Sequence, residues 1–144
     1  MIDDKDFALE QPDPRNQLND LGGRAWIYAL RSVIATRYPT NGAAGYAHAL
    51  RRTHPSPKPP QLMAELIRFF TKKGGRVFDP FSGVGGTLLA CALEDRTGVG
   101  VELSPEYAAI YRDSSIDFRG VERFDTFEGR RAPVFSADRH QSLE

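Results

Sequence analysis

The stretch RVFDPFSGVGGTLLA, residues 76–90, constrains this chain more than any other. Val77 and Phe78 favour an extended strand, and Asp79-Pro80 ends it, because proline cannot donate to a central sheet ladder. Gly83, Gly85 and Gly86 then allow a tight turn and close backbone approach, and the apolar run from Thr87 to Leu93 predicts a helix. Strand, glycine turn and helix in that order open a parallel α/β unit. TGVGVEL, residues 97–103, reads as a second strand, buried on both faces. Ser104 predicts a helix cap, with Pro105 at the first helical position and Glu106 in the first turn. APVFSAD, residues 132–138, reads as a third strand. The expected class is α/β, with a parallel, helix-covered sheet. Three strands make half of an open sheet of this kind.

Upstream, residues 1–20 read as a flexible lead-in, with Pro12 and Pro14, and residues 21–144 as one domain. Trp26, Ile27, Leu30, Val33 and Ile34 share one face of a helix expected over Arg24–Arg37, and Pro39 ends it. Residues 38–60 form a long connection rich in Gly and Pro; a connection of that length is functional or disordered. A second helix is expected over Pro60–Thr71, burying Leu62, Met63, Leu66, Ile67 and Phe70, with Gly74-Gly75 as its stop.

Net charge is zero over 144 residues, yet residues 24–76 carry ten Lys/Arg against one acid, Glu65. Such a local excess fits either a solvated basic face or a polyanion partner, with Arg51, Arg52 and Lys58 as candidate nucleic-acid contacts and Lys72 and Lys73 as helpers. Cys91 is the single cysteine, so there is no disulfide framework. The acidic N-terminus lacks the apolar core of a signal peptide, and no run approaches membrane-spanning length. These features point to the cytoplasm and to no membrane partner. His48, His54 and His140 have no metal-ligand spacing, so no metal site is expected.

Three ligands compete for the glycine loop. A nucleotide P-loop needs a lysine after its last glycine, and Gly85-Gly86-Thr87 has none. A dinucleotide fingerprint needs a glycine at position 88, where Leu88 stands, and Asp79 would repel a pyrophosphate. S-adenosylmethionine carries a sulfonium and an ammonium, so Asp79 favours it. Glu102, at the end of the second strand, is spaced to accept from two ribose hydroxyls. A plain strand–helix turn, with Asp79 as a capping acid and Glu102 as an ordinary strand-end acid, is the alternative to any ligand at all.

VFDPFSGVGGTLLA resembles the D-P-F-x-G-x-G-T motif of the DNA methyltransferases that modify the exocyclic amine of adenine or cytosine. GVGVELSPEYAAIYRD resembles their next strand and helix, RRTHPSPKPPQLMAELIRFFTKKG the segment before the loop, and LNDLGGRAWIYALRSVI the N-terminal helix of one branch. VFSADRHQSL is similar to the third strand. The resemblance implies a partial Rossmann-like S-adenosylmethionine-dependent methyltransferase fold with N-terminal helices. It implies that Asp79 faces the methionine amino group, with Pro80, Phe81, Ser82, Gly83 and Gly85 around the cofactor and Thr87 starting the helix behind it. Glu102 would hold the ribose, Leu103 and Ser104 would lie beside the adenine, Lys58 and Pro59 would meet the carboxylate, and Asp138 would approach the adenine N6. DNA is the implied partner.

The family aligns the target amine with an Asp/Asn/Ser-Pro-Pro-aromatic segment, which accepts the amine protons. SPKPP interrupts that pattern with Lys58, so no catalytic residue is assigned, and the chain is expected to be inactive alone. A C-terminal methyltransferase half would complete it; without one, the open sheet edge is expected to invite self-association. Alternatives are a non-catalytic cofactor- or DNA-binding half of a split enzyme, and a small RNA or protein methyltransferase.

Overall fold

The computed structural model describes residues 10–34, 37–117 and 134–136. Strands β1 (Arg76–Asp79), β2 (Thr97–Glu102) and β3 (Val134–Ser136) form a parallel sheet in the order β1-β2-β3. Phe78 pairs in register with Val99, and Gly100 with Val134. Helix α4 (Gly86–Leu93) links β1 to β2, and α5 (Pro105–Asp117) follows β2. Leu88 and Leu89 of α4 meet Tyr111 of α5 in one buried cluster, so the two helices lie side by side. The fold is the expected α/β class, a partial Rossmann-like sheet.

The two-residue alternation of a strand decides which face α4 covers. A Cβ on Gly98 would stand 3.0 Å from Leu88 Cδ2, and one on Gly100 2.8 Å from Leu88 Cδ1. These glycines therefore let α4 sit directly on β2. Phe78, Val99 and Val101 alternate to the opposite face, where Phe78 is 64% exposed and the two valines are half-buried. The expectation that β2 is buried on both faces is corrected: among the described residues, helices cover one.

Helix α3 (Pro60–Phe70) starts with Pro60 at its first position, where the missing N–H costs nothing. Ala64 and Ile67 pack on Ala90 and Cys91 of α4. Leu66 and Phe70, expected inside, are exposed. Thr71 leaves the helix in extended conformation, and its hydroxyl donates to the Ile67 carbonyl at 2.6 Å.

The N-terminal helix is shorter than the apolar pattern predicts. Helix α1 spans Gly23–Ala29 and buries no residue. Trp26 meets Phe69 with ring centroids 5.3 Å apart, whereas Ile27, Leu30 and Val33 are exposed. Before α1, the chain packs against the end of α3 and the turn into β1. Asn19 is fully buried, donates to the Phe69 carbonyl at 2.6 Å and accepts from the Leu21 N–H at 3.0 Å. Asp20 accepts from the Lys73 N–H at 2.6 Å. Residues 38–60 hold a short 3-10 turn (Ala43–Gly45) and helix α2 (His48–Arg51). No helix among the described residues is long and apolar enough to cross a membrane.

Candidate functional site

The glycine loop leaves the C-terminal end of β1 beside the C-terminal end of β2. In an open parallel sheet this edge is where ligands bind. Gly83 and Gly85 have φ of +52° and +77°, the left-handed region that disfavours side chains. Asp79 Oδ1 accepts from the Phe81 N–H at 3.0 Å, which starts the turn. Glu102 closes it. Its Oε2 accepts from the Gly83 N–H and its Oε1 from the Ser104 N–H, both at 2.8 Å. A carboxylate has about four acceptor positions, so each Glu102 oxygen keeps capacity for a further donor. Neither Asp79 nor Glu102 is in an ion pair among the described residues. Such a site is negative and rich in acceptors, which suits hydroxyls and cations and opposes a phosphate.

Phe81 and Leu103 flank this pair of carboxylates, 88% and 73% exposed. Two large apolar side chains held this far into solvent at the strand ends offer faces for a flat, apolar ligand. Ser104 caps α5 as expected, its hydroxyl accepting from the Tyr107 N–H at 3.4 Å.

Several expected contacts have other duties. The N–H and hydroxyl of Ser82 both donate to the Val101 carbonyl, at 3.0 and 3.2 Å, and the residue is buried. It stitches the loop to β2. Gly85 is required by packing as well as by φ: a Cβ there would lie 2.0 Å from Tyr111 Cδ2. Gly86 is required by the preceding segment, since its Cβ would lie 2.4 Å from the Lys58 carbonyl oxygen. Thr87 is buried in the first turn of α4. Lys58 and Pro59 are thus brought against the start of α4, with Lys58 exposed and Pro59 half-buried. Pro80 is exposed at the loop entrance. Asp138 lies outside the described residues.

The basic segment is not one surface. Arg51, expected to face nucleic acid, is 1% exposed. Its guanidinium donates to the carbonyls of Tyr46, Lys58 and Gly45, at 3.0, 3.2 and 3.3 Å, and burial pushes its pKa down from the ordinary value. It is unavailable to a phosphate. Arg68 pairs with Glu94 through two bonds, at 3.1 and 3.0 Å. Lys72 and Lys73 sit at the opposite end of the sheet, in the turn that enters β1, where Gly74 donates to the Asp95 carbonyl and Lys73 pairs with Asp95 at 3.5 Å. Arg52 and Lys58 remain exposed in the segment that leads to the glycine loop.

One further functional candidate, His54, lies in the segment before the loop, and the resemblance assigns it no role. His54 Nδ1 accepts from the Ser56 N–H at 3.1 Å, so the neutral ring carries its hydrogen on Nε2. The ring meets Tyr107 edge-on at 4.6 Å, and Nε2 stands 3.4 Å from where a Gly83 Cβ would be. His54 thereby covers the loop. Its place four residues before Lys58 is the one hint the sequence carries. Among the described residues no group of three or more His, Cys, Asp or Glu side chains gathers as for a metal.

Comparison with known proteins places these features among relatives. The family model described as DNA methylase matches residues 9–113. Type II methyltransferase M.HpaI of Haemophilus parainfluenzae is 30% identical over 81 residues, 56% of this chain and 26% of that protein. Type II methyltransferase M.XycI of Xanthomonas campestris pv. cyanopsidis is 44% identical over 55 residues, 38% of this chain and 18% of that protein. The chain therefore spans a quarter or so, or less, of these relatives' length. A solved structure, an M1.HpyAVI–SAM complex, is 36% identical with a TM-score of 0.39, covering 42% of this chain and 31% of that one.

Proposed function

The chain belongs to the DNA methylase family, and on that premise we propose that it is the cofactor-binding part of a DNA amino-methyltransferase. The whole enzyme transfers a methyl group from S-adenosylmethionine to the exocyclic amine of adenine, or of cytosine, in DNA. The observation that carries this reading is the pair of carboxylates, Asp79 and Glu102, at the ends of adjacent strands, without salt-bridge partners among the described residues. The residues fit the cofactor: two acceptors for its amine and ribose hydroxyls, two apolar faces for its base, and one cation, Lys58, for its carboxylate. When bound, the cofactor supplies a methyl group activated by its sulfonium.

Each side chain then has a task. Asp79 uses its second oxygen to hold the methionine ammonium. Glu102, fixed by the Gly83 and Ser104 N–H groups, accepts from the ribose hydroxyls. Phe81 and Leu103 flank the adenine, and His54 closes the loop from above. Lys58 meets the carboxylate, and Arg52 reaches toward the DNA backbone. The amine-aligning Pro-Pro-aromatic segment comes from a C-terminal methyltransferase part. The sheet face with Phe78, which no helix among the described residues covers, and the outer edge of β1 are where that part would seat. The reaction belongs to the cytoplasm.

Calorimetric titration of the chain with S-adenosylmethionine tests the reading. Asp79→Ala should weaken binding about tenfold or more, because a hydrogen bond to a charged group contributes about 1.5–3 kcal/mol. Equal affinities for the two proteins would remove Asp79 from the site. Transfer of labelled methyl to unmethylated DNA is the second assay, with turnover expected only when a C-terminal part carrying the Pro-Pro-aromatic segment is added. Clear turnover by the chain alone would refute the missing-segment reading.

A further inference from the structure

We infer that Arg51 is a positioning residue: its buried guanidinium holds Lys58 at the start of α4, where Lys58 meets the carboxylate end of the cofactor. The inference rests on the cofactor reading above and adds to it a residue that touches no ligand.

The geometry runs in one line. Arg51 is the last residue of α2 and 1% exposed. A buried arginine costs a great deal unless its donors are satisfied. Here they are satisfied by carbonyls, with no carboxylate within ion-pair distance among the described residues. Two of the three acceptors, Gly45 and Tyr46, precede α2; the third, Lys58, follows it. The planar fork thus ties the two ends of one excursion together, as a lysine's single ammonium would not.

The excursion is strained. Tyr46 and Ala47 have φ of 46° and 55°, which non-glycine residues adopt only when their surroundings impose it. Tyr46 is anchored on the cluster of Leu88, Leu89 and Tyr111. At the other end, the Lys58 carbonyl that receives Arg51 is the atom that leaves no room for a Cβ on Gly86. One carbonyl is therefore held from two sides, by the guanidinium and by the first residue of α4. That fixes the backbone from which the Lys58 side chain reaches the site.

The test compares two ligands that share the adenosine and its methylthio group and differ by the whole amino-acid arm, which brings the carboxylate, the ammonium and the sulfonium charge. S-adenosylmethionine has the amino-acid arm; 5′-methylthioadenosine keeps the nucleoside and lacks it. Affinities of both are measured calorimetrically for the wild-type chain, Arg51→Lys and Gly86→Ala. Arg51→Lys keeps the charge and loses the fork; Gly86→Ala keeps Arg51 and displaces the Lys58 carbonyl. Each should bind S-adenosylmethionine about tenfold more weakly and bind 5′-methylthioadenosine within about twofold of wild type, the expected loss for one misplaced charged group. Asn19→Ala, which removes a buried side chain at the far end of the sheet, controls for general destabilisation and should leave the ratio of the two affinities unchanged. Equal losses for both ligands, or no loss for either, would overturn the positioning role while leaving the cofactor reading intact. A wild-type chain that binds neither ligand would overturn the cofactor reading and this inference with it.

Discussion

The backbone N–H of Gly83 donates to Glu102 Oε2 at 2.8 Å, across nineteen residues of sequence. The same carboxylate accepts from Ser104 through its other oxygen. One side chain therefore sets both the curvature of the glycine loop and the start of the chain into α5. A ligand that binds Glu102 binds a group that is already oriented, so little entropy is lost on binding.

Glu102→Gln separates this from a simple charge effect. The amide keeps one acceptor and replaces the other with a donor facing a backbone N–H. The affinity for S-adenosylmethionine should fall about tenfold or more, and the melting temperature should also fall, because one loop N–H loses its partner. Titration and thermal melting on the same sample check both. A drop in melting temperature with unchanged affinity would assign Glu102 to the loop alone.

Gly85→Ala should damage the fold more than the ligand site. The new methyl would meet Tyr111 Cδ2 at 2.0 Å, and the φ of +77° would remain. Overpacking of this kind costs about 1–3 kcal/mol, and a left-handed residue about 1–2 more. Urea denaturation reads the loss directly. Tyr111→Leu in the same chain should recover part of it by making room. A stability within about 0.5 kcal/mol of wild type, the range of ordinary surface substitutions, would show that the loop has another conformation available.

These glycines also mark where sequence stops being legible. The strand, the glycine turn and the capped α5 follow from local signals, since Ser104, Pro105 and Gly83 act on neighbours within a few residues. Which partner a glycine makes room for does not. Tyr111 and the Lys58 carbonyl lie far from Gly85 and Gly86 in sequence, so a close approach is legible and its cause is not. Arg51 shows the same limit for charge. In a basic run it reads as a phosphate contact, because composition carries no sign of the three carbonyls around its guanidinium. The apolar pattern over Arg24–Arg37 predicts a buried face, yet α1 ends at Ala29 and Ile27 is 73% exposed. Periodicity reports which residues can share a face, and tertiary packing decides whether anything covers it.

Stability should fall at alkaline pH through two groups in the core. Burial pushes the Cys91 thiol from 9.0 up to about 12, and the Tyr111 hydroxyl from 10.0 up to about 12. Both values are raised on folding, so the folded state favours the protonated forms. Their contribution is fully present below about pH 9 and is lost as pH rises toward 12. Urea midpoints should hold steady up to about pH 8.5 and fall through about pH 10–11. Cys91→Ala should flatten the first part of that fall. Iodoacetamide at about pH 8.5 should leave Cys91 unmodified in the folded chain and label it after unfolding. Rapid labelling of the folded protein would contradict a thiol buried in α4.

The last prediction concerns DNA, and it turns on which end of the sheet a cation occupies. Arg52 and Lys58 belong to the segment that leads to the glycine loop, whereas Lys73 is at the opposite end, beside Asp95. Charge count alone would make the three equivalent. A cation that neutralises a phosphate releases a counterion, so removing one such cation lowers the slope of log affinity against log salt by about 1. Arg52→Ala should reduce that slope by about 1 and weaken binding at low salt. Lys73→Ala should leave both unchanged. Fluorescence anisotropy of a short duplex, titrated at several salt concentrations, measures the slopes. If both substitutions lower the slope equally, the basic segment acts as a diffuse cationic cloud, and the glycine-loop end has no special claim on DNA.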